Sequence, residues 1–332
     1  LDTLMQPLVS IIIPVYKAEQ TLPACIAQLR AQTYRPLQLI FIDDCSPDDG
    51  LAYLKEQQAF VTDDGLEFTL LHHEKNCGVA TARNTGLEAA KGKYIYSVDA
   101  DDLVAPETIE SLVAVAEQCE ADVVGCEYLL QQGTSHRHIV QPSVASPQDA
   151  FEQICYGRMK WNLWLFLIRR SLIEEATSLR FLPGVNMGED LMFMGKLLHR
   201  AKRIMMLHKP LYTYVRSEGQ ITNSYRPEHW MQVEANVREL EASLRSECSQ
   251  DVDNLLHFLK LNLKLPLLLS ERPSDYAVWG TMYAESNAYI FRNKHLPLRT
   301  QLLQYAALHK QYWLLRLYNK LMMQWLYPII YK

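Results

Sequence analysis

The sequence predicts an α/β domain built on a mostly parallel sheet, followed by a helical C-terminal region. From Leu8 to about Tyr128, short β-rich runs alternate with segments of helical spacing, which is typical of a parallel sheet covered by helices. From Pro227 onward the pattern is helical, with few glycines and several interrupting prolines. With 332 residues, of which 48% are hydrophobic, the chain can bury one large core or two moderate ones.

The first half contains five predicted strands joined by helices. The strands are expected at residues 9–15, 37–42, 67–71, 94–98 and 122–126. Three helices are expected at residues 21–31, 79–90 and 106–120. Pro106 suits a first helical turn, because the backbone N–H at that position needs no partner within the helix.

The next segment is mixed and is interpreted as the second half of the same domain. It contains an apolar run at 164–168, a glycine-bearing loop at 183–188 and a helix from Glu189. We therefore expect one domain at residues 1–225, with halves of about 1–128 and 129–225. A separate helical region is expected at residues 226–332.

The composition disfavours some classes of function. The 33 Lys and Arg and 38 Asp and Glu give a net charge of -5, so no nucleic-acid partner is expected. The seven cysteines include no Cys-x-x-Cys pair and are expected to be reduced. The start shows no secretion signal, and no apolar window of about 18 residues suits a membrane span. We therefore expect a cytoplasmic protein.

Four polar clusters each follow the C-terminal end of a predicted strand. They occupy residues 14–16, 43–44, 76–78 and 99–102. Ligands of open α/β sheets bind at that edge. The clusters therefore predict one shared site.

The last of these clusters predicts a metal site. Asp99, Asp101 and Asp102 place three carboxylates within four positions, and a divalent cation such as Mg²⁺ or Mn²⁺ would relieve their repulsion. Such a cation keeps open positions for the phosphates of a nucleotide diphosphate. The alternative is a solvated turn in which Asp102 caps the following helix; the position at the sheet edge favours the metal site.

The second cluster, Asp43 and Asp44, suits nucleoside recognition, because a carboxylate accepts hydrogen bonds from a base N–H or a ribose hydroxyl. The alternative is a turn and helix cap. Arg83 lies in the first turns of a predicted helix, where it could contact an anion or brace a carboxylate. His72 and His73 are interpreted as ordinary edge residues without a role.

The pair Glu189 and Asp190 begins a predicted helix. One interpretation is that two acids at a helix N-terminus simply satisfy its dipole. The other is that this pair presents a carboxylate base, since a reaction in which a hydroxyl attacks needs one near that hydroxyl.

Together these motifs resemble the family 2 glycosyltransferases with the GT-A fold, from about Pro7 to about Thr222. The similar segments, in order, are VSIIIPVY with Glu19, LQLIFIDDCSPDDG, NCGVATARNTGLEAAKGKYIYSVDADD and GED. Two positions depart from the family pattern. Phe166 stands where Lys is common and Gln220 stands where Ser is common, and both concern donor-sugar or acceptor contacts.

The resemblance assigns roles to particular residues. It implies a donor nucleotide pocket formed by Pro14, Tyr16, Glu19, Asp43, Arg83 and Asp99. It implies that Asp101 is the direct ligand of Mn²⁺ or Mg²⁺, within a D-x-D motif that includes Asp99. Asp190 is expected to be the general base, with Glu189 beside it positioning the acceptor or that carboxylate. Members of this type invert the anomeric centre.

The expected reaction is attack by an acceptor hydroxyl, deprotonated by Asp190, on the anomeric carbon of a UDP-sugar. A metal held at Asp101 would stabilise the departing diphosphate, and the transition state would have oxocarbenium character. The expected acceptor is a lipid-linked or surface saccharide. A sugar-phosphate nucleotidyltransferase is disfavoured because residues 14–16 occupy the place of its glycine-rich loop. A non-catalytic nucleotide-sugar or saccharide-binding protein is the alternative from another class.

The C-terminus combines aromatic and basic residues among leucines and methionines. Leu314, Leu317, Leu321 and Trp325 recur at helical spacing, which suits a helix lying on a membrane surface. The alternative is that this stripe packs onto the catalytic domain or onto a second copy of the chain. Peripheral membrane contact and homo-oligomerisation are therefore both expectations for this region.

Overall fold

The structure is a computed structural model that describes residues 6–59, 65–174, 179–216, 227–247, 252–270 and 272–322. The backbone divides into two compact units. The first comprises Leu1–Ala150 and Trp161–Leu244, and the second comprises Phe151–Lys160 and Arg245–Lys332. The second unit is therefore discontinuous in sequence. The domain boundary expected at residues 225–226 remains a prediction.

The first unit is built on one sheet. Its strands in the described chain are β1 (Val9–Val15), β2 (Leu37–Asp43), β3 (Leu66–His72), β4 (Tyr94–Ser97), β5 (Leu103–Val104), β6 (Val123–Gln132), β7 (Ser135–Ile139), β8 (Phe166–Arg169) and β9 (Ile204–Arg216). Their order is β3-β2-β1-β4-β8-β6-β9-β5, and β7 pairs with β6. Strands β1 to β4 are parallel, whereas β8 runs antiparallel to both of its neighbours.

Helices connect these strands, and one more helix, the last in the list below, follows β9. They are α1 (Leu22–Arg30), α2 (Gly50–Ala59), α3 (Val79–Ala89), α4 (Thr108–Cys119), α5 (Pro147–Cys155), α6 (Arg170–Glu174), α7 (Glu189–Arg200) and α8 (Pro227–Glu247). Strand β2 is buried along its whole length and β1 along nearly all of it, as expected for parallel strands covered on both faces. The predicted α/β class is confirmed.

The second half of the sheet differs from a simple parallel continuation. The apolar run at 164–168 begins in a 3₁₀ turn, Leu163–Leu165, and only then becomes β8. Ile168 in β8 pairs with Ile95 on one side and with Val123 on the other, so β8 separates β4 from β6. Pro106 precedes α4, which begins at Thr108.

The second unit is helical in its described part, as the sequence predicts. It contains α9 (Val252–Leu263), α10 (Leu265–Leu268), α11 (Pro273–Thr281), α12 (Leu298–Leu308) and α13 (Tyr312–Leu321), with a 3₁₀ helix at Ala284–Tyr289. Lys264 of this unit is fully buried. Within the described ranges, no helix combines the length and apolar character needed to cross a bilayer.

Candidate active site at the carboxyl edge of the sheet

The carboxyl ends of the parallel strands bring the first two polar clusters together. Val15 pairs with Asp43, and Asp43 pairs with His72, so three adjacent strands end at the same level. Pro14 lies beyond the last β1–β4 pair, Ile12 with Ser97, and its missing N–H does not interrupt that ladder. The expected meeting of clusters at one edge therefore follows from the strand register.

The loops after β1 and β2 are joined by hydrogen bonds. The Lys17 N–H donates to Ser46 Oγ (3.2 Å), and the Glu19 N–H donates to Asp48 Oδ2 (3.1 Å). Tyr16 is 47% exposed beside them. An open hollow of about 380 Å³ lies between the two loops. It is lined by Lys17, Ala18, Glu19, Gln20, Thr21, Pro47 and Asp48.

Asp43 is buried but keeps one open acceptor. Its Oδ2 lies 2.8 Å from His72 Nδ1 and accepts a long hydrogen bond from the Ser46 N–H. Its Oδ1 is buried and has no hydrogen-bond partner among the described residues. Because buried polar atoms are nearly always paired, this oxygen is suited to a donor from a ligand.

Asp44 fixes the start of α3. Its two oxygens accept the N–H groups of Cys77 (2.8 Å) and Gly78 (2.7 Å), and Oδ1 also lies 2.7 Å from His73 Nδ1. The other ring nitrogen of His73 contacts Thr85 Oγ1 at 2.9 Å. Asp44, His73 and Cys77 are close enough to hold a metal ion. These hydrogen bonds already engage the carboxylate and both ring nitrogens, and they account for the cluster.

A side chain from the loop before α7 also caps α3. Asn186 Oδ1 accepts the Ala80 N–H at 3.1 Å. The approach requires glycine at position 78, where φ is 85° and a Cβ atom would lie 2.2 Å from Asn186 Nδ2. The position of α3 is therefore tied both to the end of β2 and to the start of α7.

Arg83, on α3, joins three carboxylates from two other elements. Its Nη1 donates to Glu189 Oε1 (2.8 Å) and Asp190 Oδ1 (2.7 Å), and its Nη2 donates to Asp99 Oδ1 (3.2 Å). The residue is only 4% exposed. Asp190 Oδ2 also accepts the Leu163 N–H at 3.1 Å. One guanidinium thus sets the positions of the three acids.

The environment of these acids favours their protonated forms. Burial, then the charge of Asp190, raises the pKa of Glu189 to about 8, although Arg83 opposes the shift. Burial also raises the pKa of Asp190, with a further contribution from Asp99, and Arg83 again opposes it. A carboxylate with a raised pKa is a stronger proton acceptor near neutral pH.

The acidic loop after β4 is anchored by Tyr212 of β9. The Tyr212 hydroxyl donates to Asp102 Oδ2 (2.8 Å) and accepts the Asp99 N–H (3.2 Å). Asp102 Oδ1 accepts the Val215 N–H at 2.8 Å, and Trp164 stacks on the Tyr212 ring at 4.3 Å. Asp102 is therefore buried, and both of its carboxylate oxygens accept hydrogen bonds. The alternative of a solvated turn in which Asp102 caps the next helix is wrong.

Sequence comparisons identify the relatives of this chain. Residues 10–170 match the family model described as Glycosyl transferase family 2. The uncharacterized glycosyltransferase EpsJ of Bacillus subtilis (strain 168) is 33% identical over 232 residues, which cover 67% of this chain and 65% of EpsJ. The match thus spans just under two thirds of that relative.

Residues 10–170 of this chain belong to glycosyltransferase family 2. The succinoglycan biosynthesis protein ExoO of Rhizobium meliloti (strain 1021) is 24% identical over 315 residues, covering 91% of this chain and 88% of ExoO. Among solved structures, residues 1–349 of S. aureus TarS in complex with UDP-GlcNAc superpose with a TM-score of 0.67 at 19% identity. This likeness covers 95% of this chain and 91% of TarS, and shows the GT-A type fold.

Family 2 glycosyltransferases commonly use a divalent cation, and the acidic loop fits one. Burial, followed by the charges of Asp99 and Asp101, raises the pKa of Asp102 to about 8. Burial is the larger cause of this shift, and the neighbouring charges of Asp99 and Asp101 add to it, so a cation bound at the loop would offset the second contribution. Asp101 is exposed and the Asp99 side chain is 32% exposed. Both offer the oxygen ligands that Mg²⁺ and Mn²⁺ prefer.

The site residues expected of a family 2 member fall into two groups. Asp99, Arg83, Glu189 and Asp190 contact one another, and Asp101 lies in the same loop as Asp99. A second group lies at the ends of β1 and β2 or in the loops that follow: Pro14, Tyr16, Glu19 and Asp43. The individual roles expected of these residues remain predictions.

The structure adds contacts that the sequence interpretation missed. His72 and His73, which were expected to have no role, contact Asp43 and Asp44. Tyr212 and Asn186 anchor the acidic loop and α3 from distant parts of the chain. The only signal available for the histidines was their position directly at the end of β3, next to the acidic end of β2.

Proposed function

We propose that this chain is a metal-dependent, inverting glycosyltransferase that moves a sugar from a nucleotide diphosphate donor, a UDP-sugar, to a hydroxyl of a saccharide. The observation that carries the proposal is the Arg83 cluster. It holds the two acids at the start of α7 beside Asp99 of the acidic loop, at one edge of the sheet. This arrangement supports a proton acceptor and a cation site at the same edge of the sheet.

In the proposed reaction, Asp190 accepts the proton of the acceptor hydroxyl. The hydroxyl oxygen bonds to the anomeric carbon as the bond to the diphosphate breaks, so the configuration inverts. The raised pKa of Asp190 supports this role. Arg83 and the Leu163 N–H orient its carboxylate. Glu189, whose pKa is also raised, lies beside it on the same arginine.

The donor side of the proposal rests on Asp43 and the acidic loop. The open Oδ1 of Asp43 would accept a hydrogen bond from the nucleoside. Asp101, with Asp99 beside it, would hold Mn²⁺ or Mg²⁺, and such a cation offsets the charge of a leaving diphosphate. The TarS complex with UDP-GlcNAc supports a uridine nucleotide, and the name of ExoO supports polysaccharide assembly.

The test is release of UDP from a panel of UDP-sugars with Mn²⁺ and saccharide acceptors. Asp190→Asn should keep normal UDP binding while kcat falls by a factor of about 10²–10⁴, the usual contribution of a general base. Asp101→Ala should lose turnover and Mn²⁺-dependent UDP binding.

Asp253→Asn is the matched control, because Asp253 lies in the first turn of α9 and is exposed. This substitution also removes a negative charge from the first turn of a helix, but it alters none of the site residues. The kcat of the Asp253→Asn variant should therefore equal that of the wild type. Wild-type transfer by Asp190→Asn would remove Asp190 from the role of base. UDP binding without turnover of any donor would instead indicate a binding protein.

A further inference from the structure

The last two described helices expose apolar side chains and bury polar ones. On α12 the exposed apolar residues are Leu298, Leu302, Tyr305 and Leu308. The same helix buries Gln301 and Gln304. The buried face also includes the small residues Ala306 and Ala307, but the four larger apolar side chains are exposed, whereas an ordinary surface helix packs its apolar face on the core.

The buried amides of α12 make specific hydrogen bonds. Gln301 Nε2 donates to the carbonyl oxygens of Asn293 (2.7 Å) and Leu296 (3.0 Å), and Gln304 Nε2 donates to that of Leu261 (3.4 Å). These contacts hold the inner face of the helix. The exposed leucines are therefore not needed to attach α12 to the second unit.

Helix α13 repeats the arrangement. Its exposed apolar residues are Trp313, Leu314, Leu317 and Leu321. Its inner face is fixed by Leu315 and by Asn319, whose Nδ2 donates to the Leu268 carbonyl at 2.9 Å and to the Tyr276 hydroxyl at 3.2 Å. Helices α12 and α13 pack against each other, so two apolar faces are exposed in one region of the unit.

The charge of this region is unlike that of the rest of the chain. No Asp or Glu follows Glu285, whereas seven Lys and Arg lie between residues 286 and 332. The whole chain carries -5, so residues 1–285 carry -5 - 7 = -12. The described basic residues of the segment are all exposed: Arg292, Lys294, Arg299, Lys310, Arg316 and Lys320.

We propose that the exposed faces of α12 and α13, here called the apolar-basic face, bind the surface of an anionic lipid bilayer. Apolar side chains would enter the boundary between headgroups and acyl chains, while the basic residues are attracted to anionic headgroups. At ten residues, α13 is only about 15 Å long, against about 30 Å of hydrocarbon. It would lie along the surface.

The charge argues against a second copy as the occupant of this face. In a two-fold dimer the same patch meets itself, so the basic residues of one copy would face those of the other. Like charges brought together at an interface oppose association. An anionic lipid surface complements both the apolar and the basic character of the face.

The experiment is co-sedimentation of the full chain with vesicles, without donor or acceptor, so that its outcome is independent of the proposed sugar transfer. The vesicles contain either phosphatidylcholine alone or equal parts of phosphatidylcholine and phosphatidylglycerol. We expect binding only to the anionic vesicles, and a decrease of at least severalfold as NaCl rises from about 0.05 to about 0.5 M, because salt screens the attraction.

Two double variants separate the contributions. Trp313→Ala with Leu317→Ser should reduce binding about tenfold at every salt concentration, whereas Arg316→Gln with Lys320→Gln should mainly remove the salt-dependent part. Met231→Ser is the matched control, because Met231 is 69% exposed on α8. It should bind like the wild type, and all three variants should keep the wild-type melting temperature, since they alter exposed side chains.

Three results of the vesicle experiment would overturn the proposal. They are absence of binding to anionic vesicles by the wild type, equal binding to both vesicle types, and unchanged binding by both double variants. Sedimentation equilibrium without lipid provides the remaining outcome. A concentration-dependent dimer that Trp313→Ala with Leu317→Ser dissociates would assign the face to a second copy instead.

Discussion

At the scale of single residues, the site depends on Arg83. Its guanidinium donates to carboxylates of α7 and of the loop after β4. Three acids therefore share the positive charge of one buried arginine. Arginine suits this position because its planar donors point in fixed directions, whereas lysine offers a single ammonium group. The positions and the pKa values of the acids therefore depend on the same side chain.

Arg83→Lys is expected to lower kcat at neutral pH by roughly 10–100-fold, since small misplacements of catalytic groups have effects of that order. Arg83 holds down the pKa values of Glu189 and Asp190. Weaker contact should therefore raise both pKa values further. A base must be ionised to act, so the acidic limb of the pH–rate profile should move to higher pH.

The control for this variant is Arg169→Lys. Arg169 lies in β8 and forms a partly buried ion pair with Asp122. Its pH–rate profile should match the wild type. An unshifted acidic limb in Arg83→Lys would show that the cluster does not set the pKa of the proposed base, Asp190.

The sequence indicates most of the residues at the site but not the contacts between them. Asp99, Asp101 and Asp190 lie in short acidic motifs next to predicted strand and helix ends, which local patterns can show. That Arg83 bridges to Glu189 depends on two residues 106 positions apart. Spacing along one chain contains no information about such a contact.

At the scale of secondary-structure elements, β9 anchors the acidic loop after β4 through Tyr212. The hydroxyl of this residue links the two ends of the acidic loop, Asp99 and Asp102, and its ring is held by Trp164. A strand from late in the sequence thus positions a loop formed more than a hundred residues earlier.

Tyr212→Phe is expected to raise the Mn²⁺ concentration needed for half-maximal activity severalfold, because the acidic loop loses its anchor. The loss of a hydrogen bond to a buried carboxyl group should also lower the free energy of unfolding by about 1–2 kcal/mol. Metal titrations of activity and urea unfolding measure the two effects.

Tyr214→Phe is the matched variant, since Tyr214 stacks on the same Trp164 ring at 5.9 Å from the same strand. It should keep the wild-type metal requirement. Equal metal requirements in all three proteins would mean that Tyr212 serves stability alone.

The strands of the first half are predictable and those of the second half are not. Strands β1 and β2 are continuous apolar runs, because both faces are covered. Strand β7 is almost entirely exposed, with the sequence SHRHI, and among the described strands it pairs with β6. Its structure depends on its neighbour, and its own residues give no periodic signal.

At the scale of the whole molecule, the second unit has its own buried polar centre at Lys264. The ammonium group donates to the carbonyl oxygens of Trp279 (3.1 Å) and Met282 (2.7 Å) and to Asn287 Oδ1 (2.6 Å). Three acceptors match the three N–H donors of a charged lysine. These acceptors favour the charged form of Lys264, whereas burial disfavours it and lowers the pKa of Lys264 to about 7.

Lys264→Met is expected to destabilise the second unit by about 3 kcal/mol, since it leaves buried acceptors without a donor. The pH dependence has a defined sign. The folded-state pKa lies below that of the unfolded chain, so unfolding takes up a proton between about pH 7 and about pH 10. The stability of the wild type relative to Lys264→Met should therefore increase as pH rises through this range.

Chemical denaturation at pH 7, 8 and 9, with Lys294→Met as an exposed control, measures this difference. A constant difference between wild type and Lys264→Met would show that Lys264 stays charged in the fold. A decreasing difference would contradict the assigned direction of its pKa shift.

The discontinuity of the second unit has a consequence for synthesis on the ribosome. Phe151, Ile154, Cys155 and Met159 are buried, and they belong to a unit whose remaining residues begin at Arg245. The 84 residues from 161 to 244 must be translated first, which takes about 4–17 s at about 5–20 residues per second. Throughout that interval, this apolar stretch of the nascent chain lacks the residues from 245 onward that complete its unit, and it is available to a chaperone.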